Sequence, residues 1–415
     1  MFRKLLTYDE AKILIQETLK PKPLGTEQIA LLEAHNRVLA QDAISTLDIP
    51  PFNRSTVDGY AVKAQDTFGA DENRPMKFQV CGMVNIGELP KVDVTKGEAA
   101  EIVTGAPIPE GADAVVMVED TEREDDELNV YGSVTLNENV QKKGSDIKKG
   151  EIILRSGTIL GSREIGVLAA LGMAKIITYL VPTVAVLSTG GEVTEPGKEL
   201  PPGKIYDINA YSISAAVWQS GGKPVYAGVV QDEKVELRKA LEKALDSADI
   251  VMTSGGVSVG PKDIIPATVD SLGEPGVFVS GIAIKPGKPA TVALIGQKPV
   301  FSFPGHPASA LMIFHLLAKP VVQVMAGKQP KEMSSVKAVA DRRMFSAKGR
   351  RTFIMVKLVL DETKGIVAEP VETGASGAIT TLAKADGFVE ILENQQFIDA
   401  DEEVRVYLFK EKENF

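Results

Sequence analysis

The middle of the chain alternates short apolar runs with stretches of helical periodicity. The runs VAVLS, PVYAGVV and DIVMTS begin at Val184, Pro224 and Asp249, and each has the length of a buried strand. A helical pattern follows each run, and the predicted helices cover 208–219, 234–247 and 264–272. Continuous apolar strands that alternate with helices are typical of a parallel sheet covered on both faces.

The same pattern continues toward the C-terminus and ends in a long apolar segment. Two further strands, TVALIG and VFSFPG, precede a helix predicted over 308–325. His315, Lys319 and Pro320 interrupt the apolar residues, so we expect a buried helix rather than a membrane span. Near the N-terminus, the sequence TYDE has the pattern of a capping box and predicts the start of another helix.

Two other regions have the short alternating strands and turn signals of β domains. Within 46–150, the runs MKFQV, AEIVTGAPIPEGADAVVMVED and NVYGSVTL predict a mainly β insert, with 122–127 as an exposed hairpin tip. After Gly327, the runs FIMVKLVL, GIVAEPV, GFVEIL and EVRVYLF predict a small barrel or sandwich. Residues 24–43 have no pattern that favours one element.

Composition narrows the classes of partner. The 415 residues carry a net charge of −10, which disfavours nucleic acid as the main partner because binding its backbone needs a basic surface. The single cysteine, Cys81, excludes an intramolecular disulfide and a thiolate metal cluster, and it fits a reducing cytoplasm. The segment MFRKLLTYDEAK lacks the apolar core of a secretory signal, so we expect a cytoplasmic protein without a membrane partner.

Glycine-rich loops follow the predicted strands. Ligands of parallel sheets collect beyond the carboxyl ends of the strands, and glycines let backbone N–H groups approach a phosphate closely. The loop after DIVMTS is the richest of these and contains Gly255, Gly256, Ser258 and Gly260. A glycine loop alone is often only a tight turn, but the strand-loop-helix context favours a phosphate site.

Three acids lie after strands of this predicted sheet: Glu192, Asp232 and Asp263. Converging carboxylates repel each other, and Mg²⁺ relieves that repulsion while it also binds substrate phosphates. The alternative is that some of them are helix N-caps or surface acids, above all Asp263, which directly precedes a helix.

Two lysines and a histidine complete the predicted sheet edge. Lys285 and Lys288 flank Pro286-Gly287 in a stiff loop, and we interpret them as an anion site, with two solvated lysines as the alternative. His306 lies in the turn Pro304-Gly-His-Pro, where contact with a ligand and a purely structural role are equally compatible with the sequence. The three histidines are too scattered for a transition-metal site.

The predicted β insert contains three polar turns. They are PPFNRSTVDGYA, which includes Asp58, then Thr104-Gly105-Ala106, and KKGSD, which ends at Asp146. Each is an ordinary turn composition when taken alone, so spacing does not assign a function to them.

Eight motifs taken in order resemble one family. PPFNRSTVDGYA, IVTGAPIPEGADAVVMVE, KKGSDIKKGE, STGGEV, IYDINA, SGGVSVGPKD, AIKPGKP and FPGHPASA are similar to motifs of the molybdopterin molybdenumtransferase (MoeA-type) family, which is related to the gephyrin E domain. The resemblance implies insertion of molybdate into adenylylated molybdopterin, with release of AMP in a Mg²⁺-dependent step.

The resemblance also implies a homodimer whose cleft lies between the α/β domain of one subunit and the β insert of the other. It implies catalytic roles for Asp58, Thr104, Asp146, Glu192, Lys285 and Lys288, and metal contacts for Glu192, Asp232 and Asp263. The substrate contacts that it implies are Gly255, Gly256, Ser258, Gly260, Pro304, His306, Ser309, Arg350 and Ser376. Other proteins of molybdenum cofactor biosynthesis are expected partners.

Four regions follow from the pattern and the resemblance together. We predict a three-layer, molybdopterin-binding α/β domain with a parallel-rich sheet from 1–24 and 182–331, and a linking domain from 25–45 and 151–181. The mainly β insert covers 46–150, and a β-barrel-like domain covers 332–415.

The sequence departs from the family pattern at Gly191, where an acid is usual, and at Gln141, His306 and Gly281. These positions leave open a paralogue of altered specificity, for example one that takes tungstate. Two competing hypotheses are a molybdopterin adenylyltransferase and a non-catalytic molybdopterin-binding scaffold. The DGYA and TGA segments disfavour the adenylyltransferase, and the acids and lysines disfavour the scaffold.

Overall fold

The structure is a computed structural model that describes residues 5–256, 264–329, 332–371 and 379–409. The chain forms two compact units. The large unit comprises Met1–Ala40, Gly157–Gly161 and Lys175–Phe415, and the insert unit comprises Gln41–Ser156 and Ser162–Ala174. The finer division into four domains stays a prediction.

The α-helices of the described residues are α1 Tyr8–Leu19, α2 Ser162–Ala170, α3 Asn209–Ser220, α4 Lys234–Ser247, α5 Ile264–Asp270, α6 Pro307–Ile313, α7 Lys319–Met325 and α8 Thr380–Lys384. The strands are β1 Thr26–Ala30, β2 Ala43–Ile44, β3 Arg54–Ser55, β4 Gly59–Val62, β5 Met76–Val84, β6 Glu98–Ile102, β7 Ala114–Met117, β8 Thr121–Glu124, β9 Glu127–Val130, β10 Val140–Gln141, β11 Ile152–Leu154, β12 Lys175–Tyr179, β13 Thr183–Thr189, β14 Val193–Thr194, β15 Ile205–Tyr206, β16 Lys223–Val230, β17 Ile250–Ser254, β18 Pro275–Ser280, β19 Ile284–Lys285, β20 Thr291–Ile295, β21 Lys298–Phe303, β22 Ser335–Ala340, β23 Met344–Phe345, β24 Arg351–Asp361, β25 Gly365–Pro370, β26 Gly387–Ile391, β27 Phe397–Ile398 and β28 Glu403–Leu408.

The predicted α/β sheet is confirmed. Its strand order is β16-β13-β17-β21-β20-β18, and the four strands from β16 to β21 pair in parallel. One face packs on α3, α6 and α7, and the other face packs on α4 and α5, which makes three layers. The central strands β13 and β17 are apolar over most of their length because both of their faces are buried, whereas no residue of the edge strand β16 is fully buried. Along β13, for example, Val184 and Val186 face one core, and Ala185 and Leu187 face the other.

The strand before the lysine loop differs from the prediction. We expected Lys285 and Lys288 to lie at the edge of the parallel sheet, but the strand that leads into their loop, β19, pairs with β24, with Ile284 opposite Arg351 and Lys285 opposite Thr352. The sheet edge is instead completed by β18, which runs antiparallel to β20. Because β18 has the same direction as β21, its end at Ser280 lies at the same sheet edge as the end of β21, with β20 between them, and the chain leaves the sheet at the predicted edge.

The long apolar helix is interrupted by a π-helical turn. It begins with Pro307 at the first position of α6, widens over Phe314–Ala318, and continues as α7. By length and composition alone, the stretch Pro307–Met325 would suffice to cross a membrane, yet 61% of its most apolar window is buried within the protein. It lies in the core of the large unit, as expected for a buried helix.

The two β regions also agree with the prediction. The insert unit contains a six-stranded sheet of order β7-β4-β6-β5-β9-β8, and the hairpin of β8 and β9 turns at the expected acidic tip, where Glu124 pairs with Glu127. In the C-terminal region, β24, β25, β22, β28 and β26 follow one another, and a pairing of β24 with β26 closes them into a five-stranded barrel. The stretch 24–43, which had no clear pattern, contributes β1 and β2.

Candidate functional site

A cleft of about 980 Å³ opens at the carboxyl edge of the α/β sheet. The ends of β13, β17 and β21 and the first residues of α3 and α6 form its walls. Of the residues predicted to contact substrate or metal, it is lined by Glu192, Gly255, Gly256, Pro304 and His306. A parallel sheet therefore places these loops in one depression, as the rule for strand ends predicts.

Gly255 and Gly256 must be glycines for steric reasons. Their φ angles are +99° and +57°, and a Cβ on Gly255 would lie only 2.3 Å from the carbonyl oxygen of Thr189. The Gly255 N–H donates to the carbonyl of Phe303 at 3.2 Å, which links the ends of β17 and β21. The loop thus presents backbone rather than side chains to the cleft. Ser258 and Gly260 lie outside the described residues.

A buried aspartate, Asp207, organises one wall of the cleft. It is only 4% exposed, and its Oδ1 accepts hydrogen bonds from Ser188 Oγ at 2.8 Å and from the Ala210 N–H at 3.0 Å. Tyr226 donates its hydroxyl to Oδ2 at 3.3 Å. Burial, reinforced by the negative charge of Asp207, raises the pKa of Tyr226, so the phenol keeps the proton that it donates. Asp207 therefore fixes the start of α3 to β13 and β16.

Asn209 joins this wall to the neighbouring strand ends. Its Nδ2 donates to Ser254 Oγ and to the carbonyl of Gly305, both at 2.7 Å. The side-chain oxygen is buried, and among the described residues it has no hydrogen-bond partner. A buried carbonyl of this kind costs free energy unless it finds a donor, so a ligand N–H or O–H is a fitting partner.

Sequence reasoning missed Asp207 and Asn209 as site residues. The motif IYDINA contains both, and it contributed to the family resemblance without any residue being singled out. The available signal was a pair of polar residues at the start of a helix that is otherwise apolar on its inner face, where Ile213 and Val217 are buried.

Two of the three predicted metal-binding acids, Glu192 and Asp232, lie among the described residues. Glu192 is exposed and lines the cleft, whereas Asp232 is exposed after β16 and is not among the lining residues. Their strands are neighbours, and the two loops are close, because a Cβ on Gly191 would lie 3.3 Å from Gln231 Oε1. Asp263 lies outside the described residues. Within the described part of the chain, no three His, Cys, Asp or Glu side chains form a group suited to a metal ion.

The Glu192 carboxylate folds back over its own loop. A Cβ on Gly190 would lie 2.7 Å from Glu192 Oε2 and 2.8 Å from Oε1, and the φ of +137° at Gly190 also favours glycine. The Val193 N–H bonds to the Gly190 carbonyl, and the Ile205 N–H bonds to the Glu192 carbonyl. The loop consequently holds the acid at the mouth of the cleft.

The lysine loop packs against α6 and reaches the cleft. Lys285 is exposed and Lys288 is half-buried. Gly287 has a φ of +107°, and a Cβ there would lie 2.4 Å from Ile313 of α6. Pro289 lines the cleft, so the loop reaches it by its last residue. Neither lysine is among the residues that line the cleft.

Arg350 and Ser309, the remaining candidates of the large unit, differ in surroundings. Arg350 directly precedes β24, whose first residue pairs with Ile284, so the backbone brings the Arg350 segment beside the lysine loop. Ser309 is half-buried in the first turn of α6, directly behind the cleft residues His306 and Pro307. Ser376 lies outside the described residues.

In the insert unit, the structure brings Asp58 and Thr104 together. Asp58 Oδ1 accepts from the Thr104 N–H at 2.7 Å and from Thr104 Oγ1 at 3.0 Å. The backbone hydrogen bond first, and the hydroxyl second, hold the pKa of the Asp58 carboxyl below its ordinary value. Asp58 is exposed and therefore carries a fixed negative charge on the surface of this unit at neutral pH.

The three polar turns of the insert unit form one cluster. The Gly105 N–H donates to the Ser55 carbonyl at 2.8 Å, which joins the first turn to the second. The Asp146 N–H donates to the Ile49 carbonyl at 3.0 Å, and the Lys143 N–H donates to Asn53 Oδ1 at 2.9 Å. Segments separated by 90 residues or more in sequence thus meet at one surface, which spacing alone did not indicate.

Two of the four departures from the family pattern have a local physical reason. Gly281 has a φ of +81°, and a Cβ would lie 2.9 Å from Leu5 Cδ2, so a longer residue is strained at this position. Gln141 accepts from Arg54 Nε at 2.9 Å, a bond that joins β10 to β3 within the polar cluster. The structure gives no comparable reason for Gly191 or His306.

Comparison with known proteins covers nearly the whole chain. Three family models match in order: the MoeA N-terminal region (domain I and II) over residues 6–172, the probable molybdopterin binding domain over 185–324, and the MoeA C-terminal region (domain IV) over 337–409.

Individual relatives give the same result. The molybdopterin molybdenumtransferase of Haemophilus influenzae is 34% identical over 412 residues, which cover 98% of this chain and 99% of the relative. That of Bacillus subtilis is 32% identical and covers 93% and 90%. The crystal structure of the molybdopterin biosynthesis MoeA protein from Pyrococcus horikosii has a TM-score of 0.86 at 41% identity, over 98% of this chain and 100% of that one.

Proposed function

The chain belongs to the MoeA family, and we propose that it is a molybdopterin molybdenumtransferase, which inserts molybdate into adenylylated molybdopterin and releases AMP. The observation that carries the proposal is the cleft of the large unit. It combines a glycine loop that exposes backbone with a buried polar wall around Asp207 and Asn209. Its volume of about 980 Å³ suits a ligand that joins a pterin to a nucleotide.

The polar wall orients the substrate in this proposal. Asn209 is held by Ser254 and Gly305, and its unused side-chain oxygen accepts a hydrogen bond from the substrate. The backbone at Gly255 and Gly256 lies against the pyrophosphate, since glycine loops at strand ends are suited to phosphate. Asp207 acts indirectly in this proposal, because it fixes the start of α3.

Glu192 fits a role in holding Mg²⁺. Its exposed carboxylate is seated over Gly190 at the mouth of the cleft, and Mg²⁺ typically takes one or two protein carboxylates together with waters and substrate phosphates. Asp232 and Asp263 are the further ligands of the proposal. Bound Mg²⁺ would neutralise phosphate charge and stabilise the leaving group.

Molybdate is the second substrate, and the lysine loop is its proposed site. Molybdate is a dianion, so the charges of Lys285 and Lys288 and the guanidinium of Arg350 favour it, and the hydroxyls of Ser309 and Ser376 are suited to its oxygens. Sulfur ligands for molybdenum come from the pterin in this proposal, because the chain offers a single cysteine, Cys81.

A homodimer completes the site in this proposal. The partner subunit's Asp58, the partner subunit's Thr104 and the partner subunit's Asp146 face the cleft. The fixed charge of Asp58 on the exposed polar cluster supports this arrangement. The enzyme works in the cytoplasm and passes its product to other proteins of molybdenum cofactor biosynthesis, without nucleic acid or membrane as partner.

The test is AMP release by the purified protein from adenylylated molybdopterin, with and without molybdate and Mg²⁺. We expect release only when both are present. For Lys288→Ala, we expect the half-saturating molybdate concentration to rise about tenfold or more, because one of the cationic contacts is lost. Lys243→Ala, an exposed lysine on α4, is the matched control.

Two results would count against the proposal. Formation of adenylylated pterin from molybdopterin and Mg-ATP would assign the adenylyltransferase reaction instead. An unchanged molybdate requirement in Lys288→Ala would remove the lysine loop from the anion site. Replacing molybdate by tungstate in the same assay measures the preference between the two oxyanions.

A further inference from the structure

The strand that leads into the lysine loop contacts two other segments of the large unit. One is the segment before α1, where Leu6 bridges to Ile282 and the Ala283 N–H donates to the Leu6 carbonyl at 2.7 Å. The other is the start of β24, where the Arg351 N–H donates to the Ala283 carbonyl at 3.0 Å. The position of the lysine loop therefore depends on both segments.

The side chain of Arg351 binds three acids from different elements. Its guanidinium makes two hydrogen bonds to Asp9 of α1, at 3.0 and 2.7 Å, and another to Glu393 at 2.9 Å. It also forms an ion pair with Glu390 of β26 at 3.3 Å and lies over the ring of Tyr8, 5.3 Å from the centroid. Only 11% of the Arg351 side chain is exposed, so these contacts fix its position.

These bonds form a closed connection around the strand. Backbone bonds lead from Leu6 to Ala283 and from Ala283 to Arg351, and the side chain of Arg351 leads back to Asp9, three residues after Leu6. A guanidinium that binds one carboxylate through two nitrogen atoms fixes the geometry of the pair. A shift of β24 against the lysine loop would have to break part of this connection.

The charges of the cluster make Arg351 the group on which it depends. Burial raises the pKa of Glu390, and the charge of Arg351 opposes that rise. The hydrogen bond from Arg351 is the main cause that lowers the pKa of Glu393. A neutral residue in place of Arg351 would leave the carboxylates of Asp9, Glu390 and Glu393 to repel one another.

The turn that carries Arg350 is fixed to the same strand. Thr352 is 3% exposed, and its hydroxyl accepts from the Ala347 N–H at 2.9 Å and donates to the Arg350 carbonyl at 3.2 Å. The Arg350 N–H donates to the Ala347 carbonyl at 3.0 Å. Thr352 also lies opposite Lys285 in the pairing of β19 with β24. The position of β24 therefore sets the distance between the Arg350 turn and the lysine loop.

We propose that Arg351 is a positioning residue of the molybdate site. Its side chain, bound to Asp9, Glu390 and Glu393, holds the Arg350 turn and the lysine loop at the separation that binds a tetrahedral dianion. The inference rests on the function proposed above, which places molybdate at these cationic groups. Arg351 itself contacts the three acids and not the substrate.

The test is the molybdate concentration that gives half of the maximal AMP release. For Arg351→Gln, we expect this concentration to rise about threefold or more, because the cationic groups lose their fixed separation. Asp9→Ala should raise it less, and the double variant should resemble Arg351→Gln, because Asp9 acts through Arg351. Arg351→Lys keeps the charge without the planar guanidinium and should lie between Arg351→Gln and the wild type.

Arg37→Gln is the matched control. Arg37 also belongs to the large unit, is 18% exposed, forms an ion pair with Glu27 and donates to the Tyr179 carbonyl at 2.8 Å. Both glutamine variants should lower the melting temperature, since each removes a partly buried ion pair. Only Arg351→Gln should change the molybdate requirement.

A purely structural role for Arg351 makes a different prediction. Less of the protein would then be active, so the maximal rate would fall while the half-saturating molybdate concentration stayed the same. A positioning role predicts a raised molybdate requirement, a maximal rate within about twofold of the wild type, and an unchanged requirement for adenylylated molybdopterin.

Calorimetric titration of the full chain with sodium molybdate alone separates this inference from the proposed function. Molybdate binding that Arg351→Gln weakens, in a protein that releases no AMP, would support the inference and contradict the proposed function. The inference would be overturned by an unchanged molybdate requirement in Arg351→Gln or by an equal rise in Arg37→Gln. A wild type that neither binds molybdate nor releases AMP would overturn the anion site and this inference with it.

Discussion

The cleft of the large unit and the polar cluster of the insert unit hold their functional groups in opposite ways. In the cleft, Asp207 and Asn209 are buried, and each makes at least two hydrogen bonds. Asp207 accepts from Ser188 at the end of β13 and from the Ala210 N–H of α3, and Asn209 donates to Ser254 and Gly305 at two strand ends. In the polar cluster, Asp58 is exposed, and both of its hydrogen bonds come from Thr104. In the cleft, the same residues therefore support both the fold and the proposed site. In the polar cluster, a functional side chain can be changed with little effect on folding.

The largest expected effect is on catalysis, from Asp58→Ala. If Asp58 completes a partner's cleft, AMP release should fall by about 10²–10³-fold, the usual loss for one preorganised polar group of an active site. The melting temperature should fall only slightly, because the carboxylate is exposed and both of its hydrogen bonds come from Thr104. Turnover and thermal unfolding of the same preparation measure both quantities. A large loss of both turnover and melting temperature would contradict the difference that we describe between the cleft and the polar cluster.

Asn209→Leu should affect stability and activity together. The substitution leaves Ser254 and the Gly305 carbonyl without their donor, so the free energy of unfolding should fall by about 1–3 kcal/mol. Chemical denaturation measures this loss, and Asn53→Leu in the polar cluster, which removes the contact with the Lys143 N–H, is a comparison at an exposed position. Equal losses in the two variants would contradict the contrast between the cleft and the cluster.

The smallest effect is expected for Thr104→Val. It removes the hydroxyl bond to Asp58 and keeps the backbone bond, which is the larger cause of the lowered pKa. The pKa of Asp58 should therefore rise toward its ordinary value without reaching it. A lowered folded-state pKa contributes stability above the unfolded-state pKa, and this contribution is lost as the pH falls through the folded-state pKa.

The variant should consequently be slightly less stable than the wild type at neutral pH, where the contribution of Asp58 is fully present, and it should lose less stability as the pH falls below about 4, where the contribution disappears in both proteins. Carbon-detected NMR of the Asp58 carboxyl across this range measures the pKa directly. A pKa that stays in place would show that the hydroxyl does not contribute.

The parts of the fold that were predicted correctly depend on periodicity. The apolar runs that became β13 and β17 are buried on both faces, and burial on both faces makes a run continuous in sequence. The pairing of β19 with β24 was missed, because two residues carry no period and their partner lies more than 60 residues away. The π-helical turn was missed as well, because its residues are as apolar as those of the helix around them.

Some residues of the candidate site were predicted from the sequence and others were missed, for a related reason. Glycine loops and acids at strand ends can be placed by a topological rule, and Glu192, Gly255 and Gly256 do line the cleft. Asp207 and Asn209 act through hydrogen bonds to Ser188, Ser254 and Gly305, and such contacts exist only once the strands are adjacent. Asp58 and Thr104 were selected through the family resemblance, and their direct contact is a finding of the structure.

The central claim is that cleft and polar cluster, taken from two subunits, form one active site for molybdate insertion. Its most direct test uses Asp58→Ala and Glu192→Ala chains, co-expressed with different affinity tags and purified as the mixed dimer. Each variant alone should be nearly inactive. The mixed dimer has one site with both residues intact, so it should release AMP at about half of the wild-type rate per dimer. A mixed dimer no more active than either variant, or a protein that is monomeric, would contradict the account.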